Sequence, residues 1–386
     1  MERFIKCITS LRLTVVCLAF GIILVWVGTV AQADEGLYQA QARYFKHWLV
    51  VGATMFGYEI PYLILPGGYL IGTVLLVNLV AAHIKRFQFT WKKLGIHVTH
   101  AGIILLLVGQ LTTDLLSRET QMRFAEGETR IYSESGQQNE LVFLTDAANP
   151  DEDEVVAIPE ALLRRGEVHH PKLPFAVRVK QYHVNSRIRE RGPMVDTGAP
   201  PATEGIGAKA VLTPVPETRS MDERNLPSAI VELTGAPGLT GTWLVSPLLD
   251  LQEFKVGARR WRLGMRWSRA YHPFSVQLLK TTHEVYRGTD KPKNFQSRVR
   301  IENPARKENR EVDIYMNNPL RYEGLTFYQY QMGRDELDQN RGTSTLQVVR
   351  NPSWLTPYVG CLAVGGGLVI QFMLHLAGFI SRRRKQ

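Results

Sequence analysis

Four long apolar runs interrupt an otherwise polar chain, at residues 13–32, 62–82, 96–116 and 355–380. Each is near the length a helix needs to cross a hydrocarbon core of roughly 30 Å, and none carries Lys, Arg or Glu. Between the third and fourth runs the period changes. Apolar and polar positions alternate in "FAVRVK" from Phe175, "FSVQLLK" from Phe274, "SRVRIEN" from Ser297, "EVDIYM" from Glu311 and "STLQVV" from Ser344. That two-residue repeat belongs to strands with one buried face. The pattern predicts a membrane protein of four transmembrane α-helices plus one large all-β domain, built as a sandwich or an open barrel.

Three segments follow. Residues 1–116 hold the first three spans, 117–354 the β-rich domain, and 355–386 the fourth span with a basic tail. Within the domain, residues 186–228 include "ERGPMVDTGAPPATEGIGAK", too rich in Pro and Gly for regular structure, so a long loop is expected there. Pro66, Gly67 and Gly68 interrupt the second run near its start, which predicts a kinked or late-starting helix. Ahead of it Leu37, Tyr44, Phe45, Trp48 and Leu49 recur at helical spacing. An interfacial helix and a plain belt of interfacial aromatics both fit that spacing. Gly365, Gly366 and Gly367 in the fourth run predict close helix packing.

Composition adds the orientation. The 386 residues have a mean hydropathy of -0.12, unremarkable only because spans and domain average out. The net charge of +10 gathers at three places: Arg3, Lys6 and Arg12; Lys85, Arg86, Lys92 and Lys93; Arg382, Arg383, Arg384 and Lys385. A four-span chain puts all three on one side. The remaining short loop, 33–61, balances Arg43 and Lys46 against Asp34, Glu35 and Glu59. Because short cytoplasmic loops keep the Lys and Arg excess, both termini are expected in the cytoplasm and 117–354 outside it. The expected location is the inner (cytoplasmic) membrane of a bacterium, or the thylakoid membrane of a plastid. The positive charge is spent on topology, so no nucleic-acid partner is expected. "VGTVAQADEG" carries an Ala-x-Ala site at Ala31 and Ala33, but the preceding apolar run exceeds the usual 7–15 residues of a signal peptide, which favours an uncleaved span. Cys7, Cys17 and Cys361 lie in or beside spans, and no Cys-x-x-Cys is present, which excludes thioredoxin-like and zinc-ribbon chemistry in this chain.

Candidate chemistry rests on histidines placed by depth. His83 ends the second run, His97 and His100 open the third from the same side, and His375 lies about one turn from the basic tail. Residues three apart share a helix face, so His97 and His100 can both point into a bundle. Histidines near an interface also reach headgroup water, which is the plain alternative for His83 and His97. An ionisable side chain a turn deeper, such as His100, more often faces a bundle interior and serves a function. Neutral imidazole ligates haem iron, and two histidines do not complete a tetrahedral zinc site, so haem suits this setting better.

The chain resembles the ResB-like family, membrane subunits of system II cytochrome c biogenesis that partner ResC. The resemblance lies in "LRLTVVCLAFGIILVWVGTVAQADEGLYQAQARYF" at 11–45, "LPGGYLIGTVLLVNLVAAHIKRF" at 65–87, "LGIHVTHAGIILLLVG" at 94–109, "HEVYRGTDKPKNFQSRVRI" at 283–301 and "YMNNPLRYEGLTFYQYQ" at 315–331. It implies a role in moving haem b across the membrane and supporting its covalent attachment to an apocytochrome c bearing Cys-x-x-Cys-His. It implies a span histidine as axial haem-iron ligand, with His100 the best match, His97 its competitor and His83 beside them. A ResC-like haem-binding subunit is implied to supply the second ligand and a Trp-rich loop. "RRWRLGMRW", around Trp261 and Trp267, is not that loop. Alone, the chain is thus expected to be a non-catalytic or shared-site subunit of a haem lyase complex, in contact with lipid and with its client.

Two further stretches carry weaker signals. Arg259, Arg260, Arg262, Arg266 and Arg269 suit haem propionates, an acidic client or a solvated strand face. Tyr322, Phe327, Tyr328 and Tyr330 suit a client surface or an aromatic core. Two other functional classes stay open: a membrane cytochrome b in which His83 or His375 pairs with His100, and a structural anchor whose β domain recruits proteins.

Overall fold

The structure is a computed structural model that describes residues 2–85, 87–88, 90–147, 149, 152–192, 196, 198–218, 224–236, 239, 241–288, 292–335, 338 and 340–383. Arg86, Arg384 and Lys385 of the basic segments therefore lie outside the described residues, as do 193–195, 197 and 219–223 of the Pro- and Gly-rich stretch.

The chain opens with α1 (Glu2–Ile8), α2 (Leu11–Glu35), α3 (Leu37–Ala40) and a π turn at Gln41–Phe45. A hairpin of β1 (Leu49–Met55) and β2 (Tyr58–Pro66) leads into α4 (Gly68–Lys85) and then α5 (Leu94–Leu116). Next come β3 (Arg118–Ala125), β4 (Thr129–Asp146), β5 (Asp153–Pro159), the single turn α6 (Glu160–Leu163), β6 (Glu167–Val168) and β7 (Ala176–His183). They are followed by β8 (Ser186–Glu190), β9 (Ala210–Pro214), β10 (Ser228–Thr234), β11 (Thr242–Val245), β12 (Gln252–Val256) and β13 (Arg259–Val285). Then run β14 (Pro292–Asn303), β15 (Glu308–Tyr315), β16 (Leu320–Tyr322), β17 (Leu325–Arg334) and β18 (Gly342–Arg350), before α7 (Thr356–Arg383) ends the described chain. Two compact units result: a helical one up to Arg118 and from Asn351 onward, and a β unit from Glu119 to Arg350.

In the helical unit α2, α4, α5 and α7 are long and apolar enough to cross a membrane. The second apolar run is only partly helix. Residues 62–66 belong to β2 and the helix begins at Gly68, because Pro66 cannot donate the bond back to residue 62 that would continue a helix begun there, and Gly68 lets the new helix pass close to the backbone of Phe45. Of the two readings of the 37–49 stretch, a continuous helix does not form: α3 and the π turn end at Phe45, and Leu49 already starts a strand.

Helix pairing uses two different devices. Between α2 and α4 a buried Asn78 accepts from Thr14 Oγ1 at 2.6 Å and donates to the Ser10 carbonyl at 3.1 Å. Between α5 and the antiparallel α7 the device is absence of side chain. Gly95, Gly102 and Gly109, each seven residues apart, face Gly367, Gly360 with Val364, and Thr356. A Cβ on Gly102 would stand 2.8 Å from Val364 Cγ2 and 2.9 Å from the Gly360 carbonyl, so the two backbones touch directly. Of the glycine triplet only Gly367 takes part; at Gly365 and Gly366 a Cβ would meet open space.

The β unit has a ten-stranded antiparallel sheet with the continuous order β15-β14-β13-β4-β3-β18-β17-β16, on which β12 adds to β13 and β5 to β4. A second sheet orders β11-β10-β7-β6. The 27-residue β13 serves two cores. Its first part pairs with β4 from Trp261 to Trp267, and with Phe143, Phe175, Val231 and Leu263 it fills the space against the four-stranded sheet. After irregular register between Tyr271 and Val276 it pairs with β14, and Phe274, Leu278, Ile301, Phe327 and Leu346 form the second core. The Pro- and Gly-rich stretch is not all loop: β8 and β9 pair antiparallel from Ser186↔Pro214 to Glu190↔Ala210, over a small core of Ala202, Ala210, Ile230 and Leu244. Ile188 and Leu212 give that pair an apolar face, which the Pro and Gly content conceals.

Candidate functional site

Three of the four singled-out histidines meet. His83 sits in the last turn of α4, and His97 and His100 in the first two turns of α5, with a short connection bringing the two helix ends together. The His83 and His97 rings lie 5.0 Å apart between centroids, and the His83 and His100 rings 5.5 Å apart, both edge to face. His375, by contrast, stands exposed on α7 and, among the described residues, shares no ring contact with the others. The four histidines therefore do not form one group.

Hydrogen bonding separates the three by role. His97 Nε2 lies 3.1 Å from the Gln88 carbonyl, which only accepts, so in the neutral ring Nε2 carries the proton and Nδ1 is a bare acceptor. His83 Nε2 stands 3.2 Å from that Nδ1 and donates to it. Both nitrogens of His97 are thereby engaged. His100 differs: its Nδ1 is buried and has no hydrogen-bond partner among the described residues. An unpartnered buried imidazole nitrogen costs about 1–3 kcal/mol, so its retention calls for a purpose. Phe87 closes over His97, with ring centroids 5.1 Å apart. Gln88 and Phe87 carry no sequence signal, since a loop carbonyl and a loop aromatic look like any others.

The seam that holds these rings is sparse. α5 packs far more extensively on α7 than on α4. At its other end the α4/α5 seam is closed by Tyr69, which donates to Asp114, and by Lys46 Nζ at 2.6 Å from Asp114 Oδ1. Tyr69 and His83 stand 14 residues apart along α4, roughly 21 Å of helix. Among the described residues no group of three or more His, Cys, Asp and Glu side chains is arranged to hold a metal ion. Among the described residues His100 carries a buried imidazole nitrogen with no hydrogen-bond partner, a donor type that fits haem iron. His83 donates to His97, and its ring stands edge to face with that of His100.

The arginine-rich strand in the β unit is neutralised across the sheet. Arg266 pairs with Glu140 at 2.9 Å, Arg269 with Glu134 at 2.9 Å, Arg262 with Asp153 at 2.5 Å and Arg260 with Asp146 at 3.7 Å. Trp261 is core, whereas Trp267 is half-buried under the Arg224 guanidinium, 5.2 Å away. Tyr322 and Phe327 are also core, while Tyr328 and Tyr330 remain exposed. Among the described residues the strand thus keeps one arginine of the run without an acidic partner, Arg259, beside Lys172 and Pro174 around a shallow depression.

Four helices long and apolar enough to cross a membrane, joined in one chain to a β-rich unit, define the class of a membrane protein with a large β domain. Among known families, the model of the ResB-like family matches residues 233–342, from the end of β10 to the start of β18, in keeping with the resemblance read from the blocks at 283–301 and 315–331. The matched segment contains none of the three clustered histidines. No curated protein matches the chain.

Proposed function

We propose that this chain is the ResB-like subunit of a system II cytochrome c synthase, which receives haem b within the membrane and supports its attachment to apocytochrome c outside. The family is associated with cytochrome c biogenesis, and the observation that carries the finer reading is His100, whose buried Nδ1 has no partner in a seam otherwise closed at both ends. In this reading both termini are cytoplasmic and the β unit is extracytoplasmic, in keeping with the basic segments around Lys6, Lys92 and Arg382.

The clustered residues then divide the work. His100 would hold the iron of a bound haem through an imidazole nitrogen. His97 positions the site: anchored by Gln88 and accepting from His83, it holds the α4 and α5 ends at a fixed spacing. Tyr69 and Asp114 hold the opposite end of the same seam. With haem bound, the apolar flanks of α4 and α5 would help exclude water, a setting that favours reduced iron. When bound, haem supplies the vinyl groups to which two client thiols add as thioethers. A ResC-like partner would supply the second ligand, as the resemblance to the ResB-like family implies.

Maturation of a Cys-x-x-Cys-His reporter cytochrome in cells that depend on this chain tests the proposal. His100→Ala is expected to abolish maturation while His375→Ala leaves it intact. Equal loss in both variants, or loss in neither, refutes the assignment.

A further inference from the structure

The β1/β2 hairpin presents an apolar face that none of the described residues covers. Its inner face is ordinary: Val50, Ala53 and Leu65 pack on Leu24, Val27 and Ala31 of α2. Its outer face carries Val51 and Ile64, cross-strand partners that are 63% and 67% exposed, together with Tyr62 at 92% and Phe56, at the tip, at 73%. Trp48, Leu49 and Tyr58 extend the same surface, and Glu59 is the one charged side chain in the two strands.

This face is held rigidly. Glu35, buried at the end of α2, accepts from Arg43 at 2.6 Å and from the Thr54 amide at 3.2 Å. Arg43 also donates to the Val51 carbonyl at 3.0 Å, and Asp34 accepts from the Gly57 amide at the tip. A buried carboxylate committed to orienting an uncovered apolar face implies that the face has an occupant.

The geometry of α4 says which. Its 18 residues span roughly 27 Å at 1.5 Å each, about 3 Å short of a hydrocarbon core of about 30 Å. β2 joins it directly through Pro66 and Gly67, and Gly67 donates to the Trp48 carbonyl at 2.9 Å. The apolar depth missing from α4 is thus supplied by Leu63, Ile64 and Leu65, which are strand. The aliphatic part of the outer face lies nearest α4, and Tyr58, Tyr62 and Trp48 carry the amphipathic rings that favour headgroup level. Pro61 and Pro66 remove donors from the open β2 edge, so that edge is ill suited to adding a partner strand.

We propose that the outer face of the 49–66 hairpin is a lipid-binding surface, lying in the headgroup–acyl boundary of the bilayer with Val51 and Ile64 against acyl chains. The unpaired strand edges then stay at a depth where headgroups and water satisfy them, as backbone polar groups in a membrane require.

Nitroxide accessibility tests this in the full chain, with Cys7, Cys17 and Cys361 replaced by Ala and single cysteines introduced as Ile64→Cys or Tyr62→Cys. The protein is placed in phosphatidylcholine–phosphatidylglycerol liposomes. A label at exposed Leu362 of α7 serves as the lipid reference and one at Arg300 of β14 as the water reference. At Ile64, collision with oxygen is expected to exceed collision with a polar nickel complex several-fold, as at Leu362, with Tyr62 intermediate. Free access of the nickel complex to Ile64, as at Arg300, would overturn the proposal in favour of a water-exposed face. Protection from both reagents would overturn it in favour of cover by protein, such as a second copy.

Discussion

The helical unit and the β unit handle polar side chains in opposite ways. In the β unit charges come in cross-strand pairs, and the arginine run of β13 is spent on Glu134, Glu140, Asp146 and Asp153. In the helical unit, single polar side chains join or close particular elements. Asn78 joins two helices, Asp114 closes one end of a seam, and His100 is left with a bare nitrogen at the other. In such a setting an unpaired group is informative, whereas in the β unit a cluster of arginines is only sheet chemistry.

Mutations sharpen that contrast. The largest effect is expected at the seam: His100→Ala should remove bound haem entirely from a complex purified with its partner. His97→Ala, which takes away a positioning hydrogen bond, should lower haem occupancy about tenfold, read from pyridine haemochrome content per protein. Next comes the buried pair in the β unit. Glu140→Ala strands Arg266, whose partner carboxylate is 8% exposed, and should cost about 3 kcal/mol in denaturant unfolding. Gly102→Ala should cost about 2 kcal/mol by forcing α5 off α7, seen as a lower melting temperature in detergent, while Gly365→Ala changes nothing because its Cβ meets open space.

A smaller effect concerns pH. Burial holds His272, which lies 3.0 Å from Ser133 Oγ, below its ordinary value of 6.5. The unfolded chain therefore binds a proton that the folded β unit does not, so stability is intact above pH 6.5 and falls as pH drops below it. His272→Gln should flatten that part of a stability-versus-pH curve. Smallest of all, Arg300→Ala breaks an exposed pair with Glu311 and should move stability by less than about 1 kcal/mol.

Much of this is legible in the sequence, for physical reasons. Apolar length marks spans whatever their packing, so all four helices can be foreseen, and the two-residue period marks strands such as β7, β14 and β15. The run from Tyr62 misleads because a strand at the bilayer edge and the helix after it share the same hydropathy; Pro66 and Gly67 are the clue to the late start. β8 and β9 escape notice because Pro and Gly in the intervening connection swamp two short strands. At the site, spacing alone puts His97 and His100 on one face and His83 nearby, but ranking them requires Gln88, whose backbone carbonyl fixes the tautomer of His97. His375 is drawn in by depth along its helix, which says nothing about the side of the helix it occupies.

Central to the proposed function is His100 as a residue that would hold haem iron, with a partner proposed to supply the other ligand. The most direct measurement is the reduced-minus-oxidised absorption spectrum of the detergent-purified chain, alone and with a ResC-like partner co-expressed, for wild type and His100→Ala. The expected result is a six-coordinate b-type signal that needs the partner and disappears in the variant. A full signal from the chain alone, or one that persists unchanged in His100→Ala, would contradict the shared-ligand site.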